Sequence, residues 1–280
     1  MSREISGGGC SKYTYRAVKA DRRAKRKASK RKSGKRKFLL NRELKKYIVT
    51  KLKLCWSPEQ IAETLKTEYS ANTAMRISPE AIYAVLYILP KGTLKKELLS
   101  CLRRGHKRRR RRKKGEQPLF ERKIENMILI DERPEEVAER IVPGHWEGDL
   151  LIGKNRQSAM GSLTERTTRK AILVPLKSKS SEEVRIAFEK EFDRLPESMR
   201  LTLTYDQGRE MTQHEALARR TKVKVYFAHK ASPWERGTNE NTNGLIRQFF
   251  PKGTDFSKVS RREIKRAEKL LNGRPRKVLN

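Results

Sequence analysis

The chain has 280 residues, with 68 Lys and Arg against 33 Asp and Glu, for a formal net charge of +35. That imbalance opposes self-compaction and calls for a polyanionic partner, nucleic acid first, bound with an affinity that falls steeply with salt. No apolar run reaches the roughly 18 residues needed to span a bilayer, and the residues after Met1 do not form a secretory signal. Cys10, Cys55 and Cys101 form no CxxC pair, and His106, His145, His214 and His229 have no zinc-finger spacing, so reduced thiols are expected and a structural zinc is not.

In chain order, residues 1–38 form a basic arm whose "AVKADRRAKRKASKRKSGKRK" favours helix yet offers almost no apolar stripe to hold it against a core. It is expected to be partly helical and to order on DNA, a solvated tail being the plainer reading. Residues 39–103 carry apolar side chains at helical spacing, Leu40, Leu44, Tyr47/Ile48 and Leu52. "WSPEQIAETLK" then predicts a helix capped by Ser57, with Pro58 at its first position and Gln60 closing a capping box. "ISPEAIYAVLY" repeats the design with Ser78 and Pro79. Three helices with Ser78–Leu89 as recognition helix suggest a helix-turn-helix, with Tyr83 the DNA-contact candidate among Glu80, Tyr83 and Ala84. The connector near 67–77 is longer than the usual three or four residues, and an ordinary three-helix bundle fits the same pattern.

Residues 104–123 are read as a basic linker. The block Arg108, Arg109, Arg110, Arg111, Arg112, Lys113 and Lys114 has no apolar surface to bury and would track a phosphate backbone; an RNA-binding or nuclear-localisation segment would read the same. From 124 to 280 the pattern is strand, strand, strand, helix, strand, helix, strand, helix, ending in a helix over 234–250. This predicts a mixed sheet flanked by helices. The fold class is thus α+β multidomain, a helical module followed by an α/β core.

Two carboxylates fall on strands of that core: Asp149 in "HWEGDLL" and Asp206 in "LTYDQG". Either alone reads as solvated or a cap. On neighbouring strands their repulsion asks for a counter-cation, and oxygen ligands suit Mg²⁺. Glu240 supplies a third carboxylate on the helix that follows, where it can turn inward over the strand ends; Glu235, five positions earlier, would face elsewhere. Two metals held ~3.5–4 Å apart by three carboxylates can activate an attacking oxygen and stabilise a leaving one, with no nucleophilic side chain.

Together, "GHWEGDL", "LTYDQGREM", "SPWERGTNENTNGLIRQFFPKGTD" and "LNGRPRK" resemble the DDE transposases of bacterial insertion sequences, of the IS-thirty type. The resemblance implies a ribonuclease-H-like core, and Asp149, Asp206 and Glu240 as catalytic ligands of two Mg²⁺ ions, with Mn²⁺ able to substitute. It also implies cleavage and strand transfer of double-stranded DNA, a homo-oligomer when two ends are brought together, and a cytoplasmic, nucleoid-associated location. Similar transposases often carry Gln where this chain has Glu235. His145, Trp146, Asn243 and Arg247 fall in a supporting shell or on DNA, Arg247 being a DNA-contact candidate, although simple packing explains each equally well. Relatives usually carry another helix-turn-helix before a "SREL"-like segment and a further short helical segment at the end, so the chain reads as shortened at both ends. The alternatives are a truncated, non-catalytic DNA-binding regulator and, more remotely, a basic RNA-binding protein.

Overall fold

The computed structural model describes residues 16–89, 92–102, 124–277 and 279. The chain divides into two compact units, Met1–Gly105 and His106–Asn280. Among the described residues no helix is long and apolar enough to cross a membrane.

The first unit is helical. Helix α1 spans Ala17–Leu40, α2 Arg42–Lys53, α3 Pro58–Glu68, α4 Pro79–Ile88 and α5 Thr93–Ser100. The arm expected to lack an anchor is helical through Leu40 and gains one at its end, where Phe38 is buried with Leu44, Ile48 and Leu52 of α2. Lys37 also donates to the carbonyls of Thr73 and Arg76. Ser57 and Gln60 form the expected capping box, and Ser78 caps α4 by accepting from the Ala81 amide at 3.2 Å. The connector between α3 and α4 holds a 3-10 turn, Thr73–Met75, whose Met75 is fully buried. It is therefore a packed segment rather than a short turn. The expected three-helix count is corrected by α5, which contributes Leu98 to the same core. Tyr83 is half-buried against that core, and burial pushes its phenol up.

The second unit is built on one five-stranded sheet in the order β3-β2-β1-β4-β5. Its strands are β1 (His145–Ile152), β2 (Ala159–Glu165), β3 (Ala171–Pro175), β4 (Thr202–Tyr205) and β5 (Lys224–Phe227). β1, β2 and β3 pair antiparallel, while β4 and β5 run parallel to β1, which makes the sheet mixed as expected. Leu129 adds an isolated parallel bridge to Phe227. The helices are α6 (Glu136–Glu139), α7 (Ser181–Phe192), α8 (His214–Thr221), α9 (Gly237–Ile246) and α10 (Arg261–Asn272).

Strand alternation sorts the side chains onto two faces. Trp146, Leu163, Val174, Leu203 and Tyr205 meet Val184, Phe188 and Phe192 of α7 and Leu217 of α8. On the other face Leu151, Met160 and Leu173 meet Ile246 of α9 and Ile264, Ala267 and Leu271 of α10. Each such side chain removed from water stabilises the fold by ~1.5–3 kcal/mol. Two expectations change here. The helix predicted over 234–250 is a 3-10 turn, Pro233–Arg236, followed by the shorter α9. Helix α10, for which the sequence pattern predicts no element, opens with a Ser260–Glu263 capping box.

Candidate active site beyond the ends of two parallel strands

The ladder between β1 and β4 closes at Glu147 opposite Thr204, and Asp149 and Asp206 each lie two residues further on. The two carboxylates therefore extend one register past the last paired residues. β1 continues to Ile152 paired with β2, whereas β4 ends at Tyr205. Gly148 allows this approach of the strands, since a Cβ there would sit 2.6 Å from Cδ2 of Tyr205.

Asp149 Oδ1 accepts from the Leu150 amide and Oδ2 from Asn243 Nδ2, both at 2.8 Å. Burial pushes its carboxyl above the ordinary range, opposed by Arg236 and reinforced by Asp206. Asp206 Oδ2 accepts from Arg236 Nη2 at 3.0 Å, and Oδ1 from the Gly208 amide at 3.3 Å. Arg236 is the hub: its Nη1 donates to the Gly148 carbonyl at 3.0 Å and lies 3.8 Å from Asp149 Oδ1. Its Nε is buried with no hydrogen-bond partner. Glu210 folds back over Gly208 close to the pair; burial raises its carboxyl, with Asp206 and Asp149 adding to the effect.

Glu240 lies in the first turn of α9 and is exposed. Asn243 and Arg247 follow it along α9 by three and seven positions, so these three share one face of the helix, while Arg236 lies before α9 at the end of the 3-10 turn. Arg236, Asn243 and Arg247 reach β1, at Gly148, at Asp149 and, through Arg247 Nη2 at 3.0 Å, at the Ile152 carbonyl. Glu240 thus belongs to the stripe that runs along β1. Among the described residues, however, no three His, Cys, Asp or Glu side chains are gathered closely enough to hold a metal. The structure brings Asp149 and Asp206 together around a guanidinium and leaves Glu240 outside. Glu235 is engaged elsewhere, accepting from the His229 amide at 2.8 Å and contacting His229 Nδ1 at 2.9 Å.

A fully buried bracket fixes α9 against the sheet. Glu147 Oε1 accepts from Arg166 Nη1 at 2.6 Å, and its Oε2 from the Asn239 amide at 2.8 Å. Asn239 Nδ2 donates to the Glu147 carbonyl at 2.8 Å, and Ser162 Oγ donates to Asn243 Oδ1 at 2.8 Å. Of the residues the sequence assigned to a shell, His145 is buried with Nδ1 2.9 Å from Thr202 Oγ1, Trp146 is core, and Asn243 alone touches a candidate carboxylate. Arg247 is half-buried at the end of β1, with burial lowering its pKa. The stretch Arg108–Lys114 lies outside the described residues. Arg236, Glu210 and the Glu147–Arg166 pair were missed.

The family description "Integrase core domain" matches residues 139–233, a span that includes Asp149 and Asp206 and stops short of Glu240. The chain is 44% identical over 225 residues to the transposase for insertion sequence element IS1086 of Cupriavidus metallidurans, covering 80% of this chain and 66% of that one. It is 40% identical over 284 residues to transposase InsI for insertion sequence element IS30A of Escherichia coli, covering 100% and 72%. It is also 40% identical to the transposase for insertion sequence element IS4351 of Bacteroides fragilis, covering 91% and 76%. The chain therefore spans about two thirds to three quarters of the length of these relatives. Sheet order and family match define an integrase-core protein of the DDE polynucleotidyl-transferase class, with a sheet that fits a ribonuclease-H-like core. Within that class, the chain belongs to the insertion-sequence transposases of the IS30 type.

Proposed function

We propose that this chain cuts and joins double-stranded DNA at the ends of an insertion element, with Asp149, Asp206 and Glu240 as the catalytic carboxylates. The observation that carries the reading is the convergence of Asp149 and Asp206 on one cation just past the end of the parallel β1–β4 ladder, with α9 alongside. A carboxylate pair that already shares a cation, with no thiol or imidazole among its contacts, fits a hard divalent ion, Mg²⁺ with Mn²⁺ as substitute. Two such ions, when bound, would supply Lewis-acid stabilisation of the attacking and leaving oxygens.

The chain's own residues orient that site. Asn243 fixes one oxygen of Asp149 through its amide, and the Glu147–Asn239 bracket holds the first turn of α9, which carries Glu240, on β1. The reaction runs in two stages: hydrolysis of a phosphodiester at an element end, then attack of the freed 3′-hydroxyl on target DNA. The helical unit, with α4 and Tyr83, and the basic stretch 108–114 hold DNA, as the charge of +35 supports. Two ends are brought together by more than one copy, in the cytoplasm on nucleoid DNA.

The test is metal-dependent cleavage of a labelled duplex carrying an element end. Cleavage is expected to disappear in Asp149→Asn, Asp206→Asn and Glu240→Gln, and to persist in Glu235→Gln, with duplex binding unchanged throughout. Wild-type protein that binds the duplex and never cuts it with Mg²⁺ or Mn²⁺ would instead identify a non-catalytic regulator.

A further inference from the structure

Resting on that reading of the carboxylates, we propose that Arg236 is a tethered counter-cation that holds the divalent-metal position in the DNA-free protein and yields it when a DNA phosphate draws the guanidinium away. Metal loading is thereby coupled to substrate.

Arg236 lies between the two carboxylates that would hold a metal: hydrogen-bonded to Asp206 at 3.0 Å and 3.8 Å from Asp149, with its side chain 15% exposed. One positive charge between two carboxylates leaves a net negative charge, which a divalent ion neutralises and a guanidinium does not. The fit is also incomplete. The contact to Asp149 is too long for a hydrogen bond, and Nε is buried without a partner, a group that costs free energy where it lies. A planar guanidinium with five donors finds a better acceptor in a phosphate, which it can bind in bidentate fashion. Arg236 ends the 3-10 turn Pro233–Arg236 at the start of α9, and Trp234 in the same turn is 73% exposed, so the turn that carries the guanidinium borders solvent.

The same contacts account for Glu240 standing apart. With Arg236 as the one cation between the two aspartates, a third carboxylate would only add to the net negative charge. A divalent ion in its place would carry the extra positive charge that Glu240, in the first turn of α9, can meet.

The experiment is titration of Mn²⁺ into metal-free, full-chain protein, with free Mn²⁺ followed by electron paramagnetic resonance, with and without a short duplex. Titration of the duplex alone corrects for Mn²⁺ held by DNA, and the Asp149→Asn/Asp206→Asn protein defines zero site binding. In the wild type the duplex is expected to tighten aspartate-dependent Mn²⁺ binding by about tenfold, inside the ~5–150-fold range ordinary for coupled sites. Arg236→Gln is expected to bind Mn²⁺ without DNA as tightly as DNA-bound wild type, and to gain nothing further from the duplex. Arg236→Lys keeps the charge without the fork and is expected to fall between the two; it also serves if Arg236→Gln fails to fold by circular dichroism. The proposal is overturned if the folded Arg236 variants bind Mn²⁺ as weakly as wild type without DNA, or keep the full duplex-driven gain. Absence of aspartate-dependent Mn²⁺ binding in every protein, with and without DNA, would sink the assignment of the carboxylates themselves.

Discussion

Replacing Arg166 by Met tests whether the buried bracket holds α9 in place. Glu147 has a fully buried side chain, and its partner Arg166 is 5% exposed at 2.6 Å, so the substitution strands a carboxylate away from water. Breaking one side of such a pair costs ~3–5 kcal/mol. For a unit of the size of His106–Asn280 this is a fall in Tm of roughly 6–20 °C, at ~2–4 °C per kcal/mol. The pair itself contributes less than that figure suggests. Burial brings the Arg166 pKa down to about 10 although Glu147 opposes the shift, so its desolvation is only partly offset. Adding Glu147→Gln to Arg166→Met should therefore recover at least half of the loss, because an unpaired neutral amide costs less to bury than an unpaired carboxylate and the Gln carbonyl still accepts the Asn239 amide. Coupling between touching residues is ~0.5–3 kcal/mol. Scanning calorimetry of the four proteins of the cycle measures this. A single substitution costing under ~1 kcal/mol, or a double variant less stable than Arg166→Met, would refute the account.

Three further outcomes are expected. Gly148→Ala forces a methyl against the Tyr205 ring from 2.6 Å; overpacking of this kind costs ~1–3 kcal/mol, and thermal unfolding without such a loss would show that the strands can part freely. The His229 pKa should lie above its ordinary 6.5 because Glu235 accepts from its ring, with Asp131 adding. Because the folded pKa is raised, the stabilisation is fully present below 6.5 and is lost as pH rises above 6.5 and through the higher folded pKa. Ring-proton NMR should show Glu235→Gln moving the midpoint down, and an unmoved midpoint would remove Glu235 as the cause. Finally, replacing Arg108–Lys114 by Ala should flatten the slope of log affinity for duplex against log salt, by ~0.9 for each phosphate that the run neutralises. An unchanged slope would take that run off the DNA.

The strand leading to Asp206 was legible because its apolar and β-branched run ends abruptly at a polar residue, and the caps at Ser57 and Ser78 because Pro follows each. Helix α10 was hidden by composition: Ile264, Ala267 and Leu271 are its only buried residues, set among charges, although the Ser260–Glu263 capping box was there to read. Helix α5 was hidden by its length, Thr93–Ser100 being barely two turns. Glu147 and Arg166 were illegible for a different reason. Their pairing depends on β1 and β2 lying side by side, a register that charge spacing does not encode. The role of Arg236 required knowing where α9 starts, and the sequence pattern had placed that start at 234.

The division of the chain at Gly105 also orders events during synthesis. The helical unit has its core complete as soon as its own residues have emerged, since Phe38, Leu44, Ile61, Met75 and Leu98 all lie within it. The sheet must wait, because β1 needs β4 as its parallel neighbour and β4 needs β5, and both are made later. At ~5–20 residues per second the unit His106–Asn280 takes roughly 10–35 s to follow. During that interval the half proposed to hold DNA is folded on the ribosome while the half proposed to cut it does not yet exist.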